Sequence, residues 1–145
     1  MNAIEETARL AVDCGYRIHA GLGPGLLESV YETVLALELT RFGLRVDRQV
    51  PIPIVYEGIA LAEGFRADLL VNKSLIVEVK SVEKLAPVHG KQLLTYLRLA
   101  EQPLGLLMNF GCATFREGIK RVVNGHVDFA TSRLRVHQDS GPGWD

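Results

Sequence analysis

Phe65-Arg66-Ala67-Asp68-Leu69-Leu70-Val71-Asn72-Lys73-Ser74-Leu75-Ile76-Val77-Glu78-Val79-Lys80 reads as two short apolar strands with charges set inside them. An ionised group buried without a partner is costly, so Asp68, Glu78 and Lys80 must hold one another or a metal ion. Side chains alternate along a strand, which puts Glu78 and Lys80 on one face and Val77 and Val79 on the other. Leu69 and Val71 join those valines. Asp68 falls on the Glu78 face if the connection through Asn72, Lys73 and Ser74 has an odd number of residues, or if a bulge adjusts the register. The expected result is two carboxylates and one ammonium at the edge of a sheet whose other side is packed. Two hard oxygen donors close together suit Mg²⁺ or Mn²⁺, which bind through one or two carboxylates and keep several waters. A structural ion-pair network would use the same three residues. Two acids beside one base leave excess negative charge, which favours the metal.

The rest of the chain frames this pair of strands. At 145 residues, 48% hydrophobic and 23% charged, it suits one domain with a real core, expected over residues 1–137. The end, residues 138–145 with Gly141-Pro142-Gly143, lacks periodicity and is expected to be a disordered tail. Apolar runs are too short or interrupted for a membrane span, and Met1 to Glu6 shows no basic-then-apolar signal, so a cytoplasmic protein is expected. Cys14 and Cys112 form no paired motif and read as free core thiols, and the four histidines show no metal-ligand spacing. A net charge of -1 argues neither for nor against nucleic acid, since a local basic surface suffices; Lys80, Lys84, Lys91 and Arg98 are candidates for one.

Helical spacing predicts one helix from Ile4 to about Ala20 and a second from Leu26 to Phe42, with a glycine-rich loop between them. The second is expected to present Leu27, Val30, Tyr31, Val34, Leu35 and Leu37 as a broad apolar face. Gln49 to Tyr56 reads as an edge or bulged strand because of Pro51 and Pro53. Glu57-Gly58 is a turn, followed by strands over Leu61–Val71 and Leu75–Val82, a helix over Val88–Ala100, and strands over Leu104–Phe110 and Ile119–Val123. This order predicts an α/β fold with a central mixed sheet flanked by helices.

Several motifs give these elements a family resemblance. Asp68 followed by Glu78-Val79-Lys80 resembles the signature of the PD-(D/E)XK nuclease superfamily, an Asp on one strand and Glu-x-Lys on the next. Gly25-Leu26-Leu27-Glu28-Ser29-Val30-Tyr31 is similar to the pattern that names the GxxExxY family within that superfamily. Gln92-Leu93-Leu94-Thr95-Tyr96 resembles the Gln-xxx-Tyr element of RecB-like nucleases, and Leu106-Leu107-Met108-Asn109-Phe110-Gly111 also looks like this family.

The resemblance implies a restriction-endonuclease-like core and Mg²⁺- or Mn²⁺-dependent hydrolysis of phosphodiester bonds, with DNA the favoured partner. Independently of it, the short apolar runs predict no membrane partner, and a homodimer buried through a helical face is a further reading. The resemblance assigns Asp68, Glu78 and the carbonyl of Val79 to the metal, and Lys80 to the attacking water. It also implies Glu28 and Gln92 in the catalytic set, with Tyr96 in the wall of the site that meets substrate. Read from the residues themselves, Arg66, on the Asp68 face, together with Tyr31 and His89, is a further candidate for substrate binding. Each also has an ordinary reading. Glu28 answers a helix dipole, Tyr31 packs, His89 starts a helix, Arg66 pairs with a neighbouring charge, and Gln92 and Tyr96 form the rim of a core. The alternative function is a non-catalytic nucleic-acid-binding or protein-interaction module that retains the nuclease fold.

Overall fold

The computed structural model describes residues 3–125. The expected tail at 138–145 and the histidines at 126 and 137 lie outside that range. Two helices open the chain, α1 (Ala3–Leu22) and α2 (Glu28–Arg41), followed by β1 (Val46–Tyr56), β2 (Ile59–Val71) and β3 (Leu75–Lys80). Helix α3 (Pro87–Ala100), β4 (Leu104–Asn109), the short α4 (Phe115–Gly118) and β5 (Ile119–Val123) complete it.

The strands form one mixed sheet in the order β1-β2-β3-β4-β5. β1, β2 and β3 are an antiparallel meander, β4 runs parallel to β3 after the α3 crossover, and β5 is antiparallel to β4. β1 is an edge strand, where prolines that cannot donate to a ladder are tolerated, and its register shifts between Ile52 and Ile54, around Pro53. From Leu75 to Val79 every residue of β3 is buried, because helices cover both faces of this central strand.

Two apolar layers result. On one face Tyr31, Leu35 and Leu39 of α2, with Ala11 and Cys14 of α1, pack on Val77, Val79, Met108 and Phe110. On the other, Leu93, Leu94 and Leu97 of α3 pack on Ile76 and Leu107. Alternation along β3 and β4 sends neighbouring residues to opposite layers, as the period of two requires. α1 also meets α4 closely: a Cβ at Gly15 would lie 2.3 Å from the Phe115 ring, so the ring has only a glycine to rest on. Cys14 and Cys112 are free and buried.

One expectation about α2 is corrected. Its apolar face is narrower than the spacing implied, with Leu27 74%, Leu37 58% and Val30 37% exposed. The buried side includes Glu32 instead. The boundaries of the other elements differ from the reading by a few residues, and α4, one turn long, was not expected at all.

Candidate active site

The β2–β3 turn sets the register. Asn72 and Lys73 both adopt left-handed backbone, φ 51 and 58; the Asn72 side-chain oxygen accepts the Arg45 N–H at 2.9 Å, and the Asn72 backbone N–H donates to the Arg45 carbonyl at 2.8 Å. Asn is among the residues that tolerate this conformation. With three residues in the connection, Val71 pairs Leu75, Leu70 pairs Ile76 and Leu69 pairs Val77. The next opposed pair is Asp68 and Glu78.

There the backbone ladder gives way to side chains. The Asp68 N–H donates to Glu78 Oε2 at 2.9 Å, and the Val79 N–H donates to Asp68 Oδ2, also at 2.9 Å. Each carboxylate is thus held by an amide of the other strand. β2 also exchanges layers at this point. Leu69 and Val71 pack under α1 and α2, whereas Phe65 and Ala67, of the same parity, pack with α3. Asp68 stands at that twist, in the notch between the layers.

Electrostatics in the notch favour protons or a cation. Glu78, 8% exposed, is pushed up from its ordinary value of 4.5 to about 8, first by burial and then by the Asp68 charge beside it. Asp68 is raised for the same leading reason, burial, with Glu32 adding to it; the Val79 N–H, Gln49 and Lys80 act in the opposite direction. Lys80, half-buried at the end of β3, lowers both carboxyls through its charge.

The remaining candidates fall at different distances from this pair. Gln92 and Tyr96 both lie on α3, and the Tyr96 hydroxyl is raised by burial and then by the charges of Glu78 and Asp68, with Gln92 acting in the opposite direction. Its ring stacks on Phe65 with centroids 3.8 Å apart. Glu28, exposed at the start of α2, accepts the Ser81 N–H at 3.4 Å, one residue beyond Lys80. Arg66 reaches the Gln49 carbonyl at 3.2 Å and pairs with Glu63, so its guanidinium is engaged within the β1–β2 ribbon. His89 accepts the Ala86 N–H through Nδ1 at 3.0 Å and serves the start of α3.

Tyr31 is corrected as a substrate contact. It is fully buried, stacked on Phe110 at 4.7 Å, and its hydroxyl is used twice within the α1–α2 loop. It donates to the Gly23 carbonyl at 2.5 Å and accepts the Leu26 N–H at 3.1 Å. The ring is a clamp that fixes the entry of α2, and through it the position of Glu28. Lys84 lines an open groove of about 760 Å³ whose other charged residues are Glu83 and Glu117, so the charge there is mixed.

Two residues with no place in the sequence reading enter the site. Glu32, one turn beyond Glu28, is 7% exposed and pairs with Arg48 at 3.2 Å. Gln49 Nε2 donates to Glu32 Oε1 at 2.9 Å and to Asp68 Oδ1 at 3.3 Å. α2 flanked by apolar residues on most sides gave periodicity no means of singling Glu32 out.

The donor set fits a divalent cation. Each carboxylate oxygen has two lone pairs, so hydrogen bonds to backbone amides leave capacity for a hard metal ion, and a 2+ charge would offset the burial, and the lesser repulsion, that raise both acids. Among the described residues no group of three His, Cys, Asp or Glu is placed to hold a metal ion, so the site rests on the Asp68 and Glu78 pair.

Comparison with known families agrees with this geometry. The model of the PD-(D/E)XK nuclease superfamily matches residues 5–122, from α1 into β5. The chain belongs to the PD-(D/E)XK nuclease superfamily. No curated protein and no solved structure gives a significant match. Membership suggests nuclease activity on nucleic acid, and PD-(D/E)XK nucleases generally use divalent metal ions. No described helix is long and apolar enough to cross a membrane.

Proposed function

We propose that this PD-(D/E)XK nuclease, of the GxxExxY type, hydrolyses phosphodiester bonds of nucleic acid, DNA in preference to RNA, using Mg²⁺ or Mn²⁺ in the cytoplasm. The observation that carries the reading is the opposed pair Asp68 and Glu78, each held by the other strand's amide and both raised by burial, with Lys80 beside them.

Asp68, Glu78 and the Val79 carbonyl would hold the metal. Bound there, it supplies positive charge to the phosphoryl oxygens and acidifies water. The Val79 and Asp68 amides keep the two carboxylates from turning away when substrate arrives. Lys80 shares the Glu78 face of β3 and brings an ammonium to the charge that grows on the phosphorus oxygens in the transition state, where fixed charge acts most strongly. Tyr96, steadied by its stack on Phe65, offers a hydroxyl to a non-bridging oxygen, and Gln92, on the same helix, lines the far wall of the site. Glu28, beside Ser81, is placed to order water at the end of β3. Arg66 and His89 are assigned to the flanking phosphates, and a homodimer would set two such sites on one duplex.

The test is cleavage of end-labelled single-stranded, duplex and branched DNA and of RNA with Mg²⁺, by wild type and Lys80→Ala. Hydrolysis by the wild type, slowed about a hundredfold or more in Lys80→Ala with metal binding intact, supports the reading. A wild type that binds DNA without cutting any substrate would instead favour a binding module that kept the nuclease fold.

A further inference from the structure

Gln49 departs from the backbone that its strand requires. Among the described non-glycine residues with left-handed φ, Glu57, Asn72 and Lys73 lie in turns and Glu101 caps α3. Gln49, φ 51, lies inside β1. A side chain in this region costs free energy, and such costs persist where the surroundings hold the residue for a reason.

The surroundings supply one. Arg48 pairs Leu69 and Val50 pairs Ala67, but the ladder skips Gln49 and Asp68 between them. The rotated backbone sends the Gln49 carbonyl to Arg66 at 3.2 Å and leaves its side-chain amide between two acids. That single nitrogen has two protons. One goes to Glu32, which Arg48 neutralises, and the other to Asp68 Oδ1. Since Val79 holds Oδ2, both oxygens of Asp68 are fixed and the plane of its carboxylate is set.

A neutral donor is the chemistry this position needs. Lys or Arg there would compete with a cation for Asp68, and Glu would add a third negative charge to the notch. We propose that Gln49 is a positioning residue of the metal site, its side-chain amide orienting the Asp68 carboxylate so that the remaining lone pairs face the cation. The proposal rests on the reading of Asp68 and Glu78 as metal ligands.

Two variants separate the amide from the backbone. Gln49→Gly removes the amide and relieves the left-handed strain; Gln49→Leu removes the amide and keeps the strain. Free Mn²⁺ is measured by electron paramagnetic resonance during titration of wild type, both variants and Asp68→Asn, with melting temperatures of each in EDTA. Both Gln49 variants are expected to bind Mn²⁺ about 10-fold more weakly than wild type, within the range for lost outer partners of metal ligands. Gln49→Gly melts at or above the wild-type temperature and Gln49→Leu below it, so weakened binding does not track stability. The proposal is overturned if wild type binds, Asp68→Asn does not, and either Gln49 variant binds within about twofold of wild type. Failure of the wild type to bind Mn²⁺ removes the ligand reading itself, and the role of Gln49 with it.

Discussion

Replacing Glu78 by Gln is expected to stabilise the metal-free protein at alkaline pH and to flatten its stability across the range in which the wild type loses it. Glu78 titrates near 4.5 when unfolded and near 8 in the folded protein. Between those values the unfolded chain holds fewer protons than the folded one, so stability falls as pH rises. The contribution is complete below about pH 4.5, is lost progressively up to about pH 8, and changes no further above it. At about 1.4 kcal/mol per pH unit, the ceiling on this loss is about 5 kcal/mol, or about 10–20 °C in melting temperature for a domain of this size. Gln has the shape of protonated Glu, and its carbonyl can still accept the Asp68 N–H, but it cannot ionise. Thermal melts followed by circular dichroism in EDTA, from about pH 5 to about pH 8.5, compare the two proteins. The difference between them isolates this group from every other titration. A wild type whose curve runs parallel to that of Glu78→Gln would refute the reasoning, because the carboxyl would then carry no burial penalty. Adding Mn²⁺ at pH 8 is expected to raise the melting temperature of the wild type and leave the variant nearly unmoved.

Two further substitutions probe what holds the site in place. Tyr31→Phe keeps the stack on Phe110 but removes both hydroxyl bonds to the α1–α2 loop, and is expected to cost about 1–3 kcal/mol in denaturant melts while leaving metal affinity unchanged. A loss of Mn²⁺ binding in Tyr31→Phe would mean that the ring does more than clamp. Asn109, fully buried, accepts the Val82 and Gly111 N–H groups at 2.9 and 3.0 Å and donates to the Val82 carbonyl at 2.9 Å, tying the chain after Lys80 to the turn after β4. Asn109→Ala should cost about 2–4 kcal/mol and reduce cleavage by loosening the end of β3; full activity in a variant so destabilised would contradict that link.

Much of this was legible in the sequence because it depends on period and connection length. A three-residue turn between two strands leaves Asp68 and Glu78 opposite each other, and no other element is needed to bring them together. The layered order of helices and strands follows equally from spacing, and Pro51 and Pro53 mark β1 as an edge. What stayed hidden depends on tertiary contacts. Gln49 is an ordinary polar residue in an alternating strand until its left-handed backbone sets its amide between Glu32 and Asp68. Glu32 lies on a helix with apolar residues on most sides, so nothing in its neighbours distinguished it from a solvated glutamate. Tyr31 shares a motif and a helix face with Glu28, yet its ring is stacked on Phe110 in the core while Glu28, the first residue of α2, stays at the surface.

The central claim, that Asp68 and Glu78 together form a divalent-metal site, is tested most directly by calorimetric titration of Mg²⁺ and Mn²⁺ into wild type and the Asp68→Asn, Glu78→Gln double variant. Saturable binding by the wild type, absent from a double variant that circular dichroism shows to be folded, is the predicted result. Equal binding by both proteins, or none by the wild type, would contradict it and leave the two acids as a pair that only ties β2 to β3.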